Sequence, residues 1–296
     1  MTIRDITYSS SENGDEDIYL IDCEGKNIRR CTEISQKGET NRTPEWSPNG
    51  EEIAFQSNRD GQRDIYIFNL KEKTTRRITH SKESNANHPT WSLDGSTLVF
   101  VDDFRKRSEL IEISLKTGAS RKITPDFGKD VRIFNPAFGP ECKYLYFVAK
   151  LCDSSSDNLW RMELATGALD HIDTGELSLF EFDLNCDGQI VFDAVVDFKP
   201  PLRDWDIFTM NSDGSGIQRL TEGHTMSSRP KWLSDNKTIV FHTNRFGKKI
   251  AQPQLRAPLT TWFEWWNEFE LCLMSAKGKD ISRLTNNVCR DLHPDG

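Results

Sequence analysis

Short apolar runs follow tight-turn sequences at regular intervals along the chain. The run 53–55 (IAF) follows Ser-Pro-Asn-Gly at 47–50, and the run 98–100 (LVF) follows Asp-Gly at 94–95. Asn-Gly and Asp-Gly favour tight β-hairpins. After each run, apolar and polar residues alternate, as in DIYIFN at 64–69, and a period of two indicates a half-buried strand. The pattern therefore predicts a series of similar β-hairpins.

Each hairpin unit has an anchor residue, often Trp, just before its turn. Successive anchors are about 45 to 48 residues apart, except for the last step, which contains an insertion of about 14 residues. A unit of this length with four short strands is typical of a propeller blade. The sequence thus predicts an all-β, six-bladed β-propeller of four-stranded antiparallel blades. The anchors are Trp46, Trp91, Phe138, Leu184, Trp232 and Leu292.

The sixth unit is divided between the two ends of the chain. The C-terminal segment supplies an inner strand, and the first 34 residues supply the other three strands. Closing the ring in one shared blade leaves no open sheet edge. We therefore expect one domain, 1–296, whose blades comprise 1–34 with 288–296, 42–80, 87–125, 134–173, 180–222 and 228–286.

One repeat carries a recognisable family pattern. PEWSPNG at 44–50 precedes an apolar strand, SNRDG at 57–61, DIYI at 64–67 and RIT at 77–79. This order resembles the TolB-like (WD40-like) β-propeller repeat, and the resemblance extends over essentially the whole chain. The resemblance implies a rigid scaffold that binds protein partners.

Composition and charge narrow the classes of function. A net charge of −8 argues against a general nucleic-acid binder, which needs clustered Lys and Arg. No stretch approaches the ~20 apolar residues of a membrane helix. The seven cysteines contain no CxxC spacing and no signal peptide is visible, so we expect free thiols and a cytoplasmic monomer. A signal removed earlier would instead make the protein periplasmic.

The insertion at about 248–267 is the first candidate binding surface. It contains three of the eight tryptophans, and clustered aromatics in a loop can stack on sugars or anchor a protein partner. The alternative is that these rings fold over the propeller and bury themselves there. The candidate residues are Trp262, Phe263, Trp265 and Trp266.

The approaches to the inner strands supply polar candidates. Each inner strand has two positions of interest, which are two residues apart. Because successive side chains point to opposite sides of a strand, both positions lie on the same side. If that side faces the axis, His88, Asn135, Glu181 and Arg229 gather at the channel mouth, where they could bind a charged ligand or transfer protons. The alternative is ion pairs that join blades. The residues at the first position are Thr43, His88, Asn135, Glu181, Arg229 and Cys289, and those at the second are Glu45, Thr90, Ala137, Asp183, Lys231 and Asp291.

No cofactor is predicted, although Glu45, Asp183 and Asp291 could together hold calcium in the channel. GxSxG, HExxH and a Gly-rich phosphate loop are all absent, so the catalytic residues stay undefined and we lean against an enzyme. The leading hypothesis is a non-catalytic scaffold that engages a protein partner, saccharide or peptide through the loop face over the channel. The alternative is a hydrolase or lyase acting on carbohydrate or peptide at the channel mouth. An enzyme predicts a deep polar pocket with shifted pKa values, and a scaffold predicts a flatter, aromatic surface.

Overall fold

The fold consists of β-strands and tight turns. The computed structural model describes residues 4–12, 16–33, 38–104, 107–127, 130–151, 157–197, 204–223, 225–246, 269–286 and 291–296. Within these ranges there are 24 strands and a single 3₁₀ turn at Pro140–Cys142. The four strands of blades 2 to 6 follow one another along the chain and pair in antiparallel fashion.

The strand bounds are as follows. Blade 1 contains β1 (Ile6–Ser10), β2 (Asp17–Ile21), β3 (Arg29–Arg30) and β24 (Asp291–Asp295). Blade 2 contains β4 (Asn41–Trp46), β5 (Glu52–Ser57), β6 (Asp64–Asn69) and β7 (Thr74–Arg77). Blade 3 contains β8 (Asn85–Trp91), β9 (Thr97–Phe104), β10 (Arg107–Ser114) and β11 (Ser120–Lys122). Blade 4 contains β12 (Val131–Phe138), β13 (Tyr144–Leu151), β14 (Asn158–Glu163) and β15 (Leu169–Ile172). Blade 5 contains β16 (Leu179–Leu184), β17 (Gln189–Asp197), β18 (Asp204–Asn211) and β19 (Gln218–Arg219). Blade 6 contains β20 (Ser227–Trp232), β21 (Thr238–Thr243), β22 (Glu270–Ser275) and β23 (Ser282–Arg283).

Both ends of the chain meet in blade 1, where the strand order is β24-β1-β2-β3. The C-terminal strand pairs with the N-terminal one, with Thr7 opposite Asp295 and Ser10 opposite Asp291. The predicted six-bladed propeller with a shared closing blade is therefore confirmed.

The core lies between blades. Ile53, Ala54 and Phe55 in β5 are all completely buried, because each second strand is covered on both faces by neighbouring blades. Trp46 packs with side chains of blades 1 and 2, and Trp91 with side chains of blades 2 and 3. The anchor tryptophans therefore fill the space between successive blades.

A polar clasp joins the third and fourth strands of every blade. A residue near the start of the third strand accepts a hydrogen bond from a residue of the fourth strand that comes 13 positions later in the chain. In blade 2, Thr79 Oγ1 also donates to Asp64 Oδ1 at 2.5 Å and accepts the Ile65 N–H at 3.0 Å. This clasp closes the outer edge of each blade. The six pairs are Asp17–Arg30, Asp64–Arg77, Glu109–Lys122, Asn158–His171, Asp206–Arg219 and Glu270–Arg283.

The turn between the third and fourth strands touches the preceding blade at some interfaces and stands clear at others. A Cβ on Gly278, whose φ is +69°, would lie 2.5 Å from the Leu220 carbonyl oxygen of blade 5. Gly118 has almost the same φ, +70°, but a Cβ there would meet nothing within 4 Å. Only glycine therefore fits the close approach of blade 6 to blade 5.

Candidate functional site

The inner strand of every blade contains a β-bulge where the chain passes the axis. In five blades the bulge contains a non-glycine residue with a φ of 48° to 53°, followed by proline. A bulge re-aims the side chain that it carries. The five residues are Thr43, His88, Asn135, Arg229 and His293. In blade 5, Glu181 precedes Phe182 instead of proline, and its φ is not positive.

These six side chains, which we call the mouth ring, line one small cavity on the axis with a volume of about 50 Å³. The mouth ring consists of Thr43, His88, Asn135, Glu181, Arg229 and His293. The structure therefore brings together all four residues that the sequence placed at the channel mouth.

The register predicted for the closing blade is wrong by four residues. His293, not Cys289, shares the positive φ and the following proline of the mouth ring, and Cys289 lies outside the described residues. Asp295, not Asp291, pairs with β1 as Glu45 pairs with β5. Gly296 thus occupies the anchor position assigned to Leu292. Asp291 is instead fully buried at the start of β24.

An ion pair in the mouth ring joins blades 5 and 6. Arg229 Nη1 lies 2.8 Å from Glu181 Oε1. Behind the pair, the fully buried Asp193 carboxylate accepts the Glu181 N–H and the Arg229 N–H, both at 2.8 Å. Burial, assisted by the charge of Glu181, raises the pKa of Asp193 to about 7, against the opposing effect of the two N–H bonds. Asp193 thus fixes the backbone of both partners.

The two histidines of the mouth ring are neutral at neutral pH. Burial lowers the pKa of His88, and the Arg229 charge lowers it further, although Glu181 opposes them. Burial and then Arg229 hold the pKa of His293 well below its usual value. Neutral imidazoles both donate and accept hydrogen bonds. The mouth therefore presents one ion pair beside two uncharged rings.

A second ring, two residues further along each strand, consists of Glu45, Thr90, Ala137, Asp183, Lys231 and Asp295. Each of its three carboxylates accepts the backbone N–H of the next blade's anchor tryptophan, at 2.7 to 3.1 Å. These contacts join neighbouring blades, as the alternative interpretation of the polar positions predicts. Lys231 Nζ lies 3.5 Å from Asp183 Oδ1.

Charges in the second ring are unevenly balanced. Burial lowers the pKa of Lys231, but the carboxylates of Asp183, Glu45 and Asp295 outweigh burial and raise it. Burial raises the pKa of Glu45 to about 8 and that of Asp295 to about 6, while Lys231 opposes both increases. Lys231 still exposes 25% of its side chain, so its charge is partly screened by solvent. One permanent cation therefore faces three carboxylates, two of which bind protons easily.

In the described part of the chain, no group of three or more His, Cys, Asp or Glu side chains has an arrangement suited to a metal ion. Glu45 and Asp183 bond instead to neighbouring blades. The aromatic candidates Trp262, Phe263, Trp265 and Trp266 lie outside the described residues.

Sequence reasoning missed the polar residues behind the mouth ring. Gln56, Asp193, His242 and Ser9 each follow the aromatic residue of an otherwise apolar second strand. Gln56 Oε1 accepts the His88 N–H at 3.4 Å, in the same way that Asp193 accepts the Arg229 N–H. The signal was a polar residue directly after Phe or Tyr in the buried run, where the pattern calls for an apolar one.

Comparison with known proteins identifies similar chains. A family model described as the TolB beta propeller domain matches residues 2–179. TolB from Acinetobacter baumannii superposes with a TM-score of 0.74 at 18% identity, covering 99% of this chain and 66% of that one. A putative TolB from Agrobacterium tumefaciens gives 0.68 at 16% identity, covering 96% and 90%. Oligogalacturonate lyase from Vibrio parahaemolyticus gives 0.58 at 12% identity, covering 82% and 84%.

A curated relative is a much longer protein. Dipeptidyl-peptidase 5 of Porphyromonas gingivalis is 28% identical over 189 residues, which make up 60% of this chain and 26% of that protein. The chain thus spans about a quarter of this relative. Among the described residues, no helix has the length and apolar character needed to cross a membrane.

Proposed function

Since the chain belongs to the TolB β-propeller domain family, we propose that it is a non-catalytic binding scaffold whose channel mouth receives an extended segment of a protein partner. The observation that carries this proposal is the mouth ring itself. Six polar side chains from six blades face one cavity, and hydrogen bonds to buried side chains fix the backbone beneath three of them. A rigid, preorganised polar site binds with little loss of conformational freedom.

The pairing of the charged groups favours recognition over catalysis. Glu181 and Arg229 neutralise each other at 2.8 Å. The carboxyls with pKa values near neutrality, Asp193 and Glu45, each accept two hydrogen bonds that hold the bulge or the next blade in place. Groups engaged in this way stabilise the site rather than transfer protons.

Photo-crosslinking tests the proposal. A photoreactive amino acid at Thr43 in the mouth ring should crosslink a specific partner, whereas the same group at Lys116, on an exposed turn, should not. Replacing Arg229 by Gln should reduce the Thr43 crosslink about tenfold through loss of a charged hydrogen bond. Equal crosslinking from Lys116, or none from Thr43, would contradict the proposal.

A second candidate is an enzyme acting on carbohydrate or peptide, because a polar cavity with shifted pKa values is the kind of pocket that an enzyme predicts. The cavity is polar and contains two neutral imidazoles, His88 and His293, which could accept a proton from a substrate. The test is product analysis after incubation with oligosaccharides and peptides. Turnover lost in His88→Ala but kept in the exposed His171→Ala would establish this candidate and displace the scaffold.

A further inference from the structure

The hydroxyl of Ser9 connects the mouth ring to the backbone of the closing blade. Ser9 Oγ lies 2.9 Å from His293 Nδ1 and 3.2 Å from the Leu292 carbonyl oxygen. Ser9 is 1% exposed, so water does not replace either contact. The two contacts together constrain where the protons lie.

Counting protons selects one tautomer of His293. A carbonyl oxygen only accepts, and a hydroxyl has one proton to donate. Both contacts are hydrogen bonds only if Ser9 donates to Leu292 and His293 Nδ1–H donates to Ser9. In the other tautomer, the serine proton points at Nδ1 and the two oxygens face each other without a proton. Because the imidazole is neutral, Nε2 then carries an unprotonated lone pair.

The lone pair on Nε2 belongs to a side chain that lines the cavity. No described residue donates a hydrogen bond to Nε2. Arg229 lies in the neighbouring blade and lines the same cavity, and a guanidinium has five N–H donors, of which the pair with Glu181 occupies only part. An acceptor and a donor therefore stand on adjacent blades at one cavity.

This pairing complements a peptide amide, which offers an N–H donor and a C=O acceptor on one planar group. A carboxylate offers only acceptors and an ammonium only donors, so each would leave one side of the site unsatisfied. We propose that His293 is a fixed hydrogen-bond acceptor and that, together with Arg229, it makes the channel mouth select neutral peptide amides. The inference rests on the proposed function, because the partner segment supplies the amide.

Nitrogen NMR of the histidine side chains tests the tautomer without any ligand. Two-bond ¹H–¹⁵N spectra should show His293 protonated on Nδ1, with its resonances assigned by their loss in His293→Phe. Ser9→Ala should shift the population toward the Nε2–H form, and Ser9→Thr should restore the original form. Ser228→Ala, which removes the hydroxyl 2.5 Å from His242 Nε2, is the matched control and should leave His293 unchanged. An Nε2–H tautomer in the unmodified protein would overturn the inference.

Three small probes of similar size test the selectivity. N-methylacetamide presents one neutral amide, propanoate presents only a carboxylate, and n-butylammonium presents only an ammonium. The neutral probe should bind at least about fivefold more tightly than either charged probe, the equivalent of one hydrogen bond. His293→Phe should abolish that difference, and the exposed His171→Phe should keep it. Equal or tighter binding of the carboxylate probe would overturn the inference.

The two proposals fail separately. A partner that crosslinks at Thr43 while the probes show no preference would refute amide selection and leave the scaffold in place. An Nδ1–H tautomer with selective probe binding but no crosslinked partner would refute the scaffold and keep His293 as an amide acceptor.

Discussion

Lys231 and the carboxylates near it have opposing effects on the stability of the folded protein. Glu45 and Asp295 lie on adjacent blades, and each raises the cost of ionising the other. Lys231 offsets only part of that cost, while hydrogen bonds from Thr90 and the Trp91 N–H favour the ionised form of Glu45. The surroundings of Glu45 therefore suit a hydrogen-bond acceptor better than they suit a negative charge.

Glu45→Gln is expected to stabilise the protein increasingly as the pH rises. The folded pKa of about 8 lies above the usual 4.5, so the stability linked to the protonated carboxyl is complete below about pH 4.5 and is lost as the pH rises through 8. Gln keeps an acceptor for Trp91 and cannot ionise. Between pH 5 and pH 8 the variant should gain about 2 kcal/mol relative to the unmodified protein, roughly half the unscreened value because the neighbouring Lys231 is partly exposed and its charge is screened.

Chemical denaturation at several pH values measures this difference. Glu72→Gln, on an exposed turn, is the control and should give a curve parallel to that of the unmodified protein. A constant difference between Glu45→Gln and the unmodified protein across this range would show that Glu45 does not titrate as described.

Among the structural elements, the clasp varies in strength from blade to blade. Blades 1, 2, 5 and 6 pair a carboxylate with Arg, blade 3 pairs Glu109 with Lys122, and blade 4 pairs Asn158 with His171 at 3.4 Å. Where the acid is fully buried, as at Asp64, the partner Arg77 remains 27% exposed. Blade 4 therefore lacks a carboxylate at the clasp position, although Arg161 and Asp170 form an ion pair at 3.1 Å between the same two strands.

Asp64→Ala should cost about 3 kcal/mol of unfolding free energy, since the Thr79 hydroxyl and the Ser81 N–H lose their acceptor and Arg77 loses its nearest carboxylate. Arg77 keeps its ion pair with Asp60 at 3.3 Å. Asn158→Ala, at the same position in blade 4, should cost about 1 kcal/mol or less. Equilibrium unfolding in urea compares them. Equal losses would mean that the charged clasp adds nothing to the shared strand geometry.

The turn glycines allow a matched test of blade contact. Gly278→Ala and Gly118→Ala both place an L-residue at a φ near +70°, so both incur the same backbone strain of about 1 kcal/mol. Only the former also places a Cβ 2.5 Å from a backbone oxygen of the neighbouring blade. We expect Gly278→Ala to be less stable by at least a further 2 kcal/mol, measured by thermal and urea unfolding. Similar losses would show that the blades separate easily.

At the scale of the whole molecule, the closing blade joins the ring through both ends of the chain. Arg4 donates to the carbonyl oxygens of Ser47 and Pro48 at 3.2 Å, and its guanidinium lies 5.3 Å from the Trp46 ring centre. The backbone N–H of Arg4 donates to Ser234 Oγ at 3.2 Å. The N-terminal strand is thus tied to blades 2 and 6 as well as to β24.

Removing residues 291–296 should open the ring and sharply lower the melting temperature, because blade 1 loses its inner strand. A synthetic peptide with the sequence of residues 286–296 should raise it again, and the increase should grow with peptide concentration. A peptide of the same composition in scrambled order is the control. A truncated chain that melts like the full chain would show that β24 does not hold the ring closed.

The sequence predicted the architecture because each blade repeats a turn and a strand pattern that have direct physical meanings. It predicted four members of the mouth ring for the same reason, since each of them stands three residues before its anchor and occupies an equivalent bulge. The predicted register of the closing blade is wrong because Gly296 stands where the other blades have a large anchor. The nearest large apolar residue, Leu292, therefore resembled an anchor in the sequence. The pair His293-Pro294 was the correct signal. Asp193 was missed because its role depends on the Arg229 N–H of the next blade, although its place directly after Phe192 was a local signal.

The pairing of β24 with β1 has a mechanical consequence. In this antiparallel pair, Arg4 and Gly296 leave the sheet at the same end, beside the Thr7–Asp295 pair. A force that pulls these two residues apart breaks the strand hydrogen bonds one after another. It does not load all of them at once in shear. Tension between the chain ends should therefore open the propeller at a low force, whereas tension between two other blades must break a whole interface together.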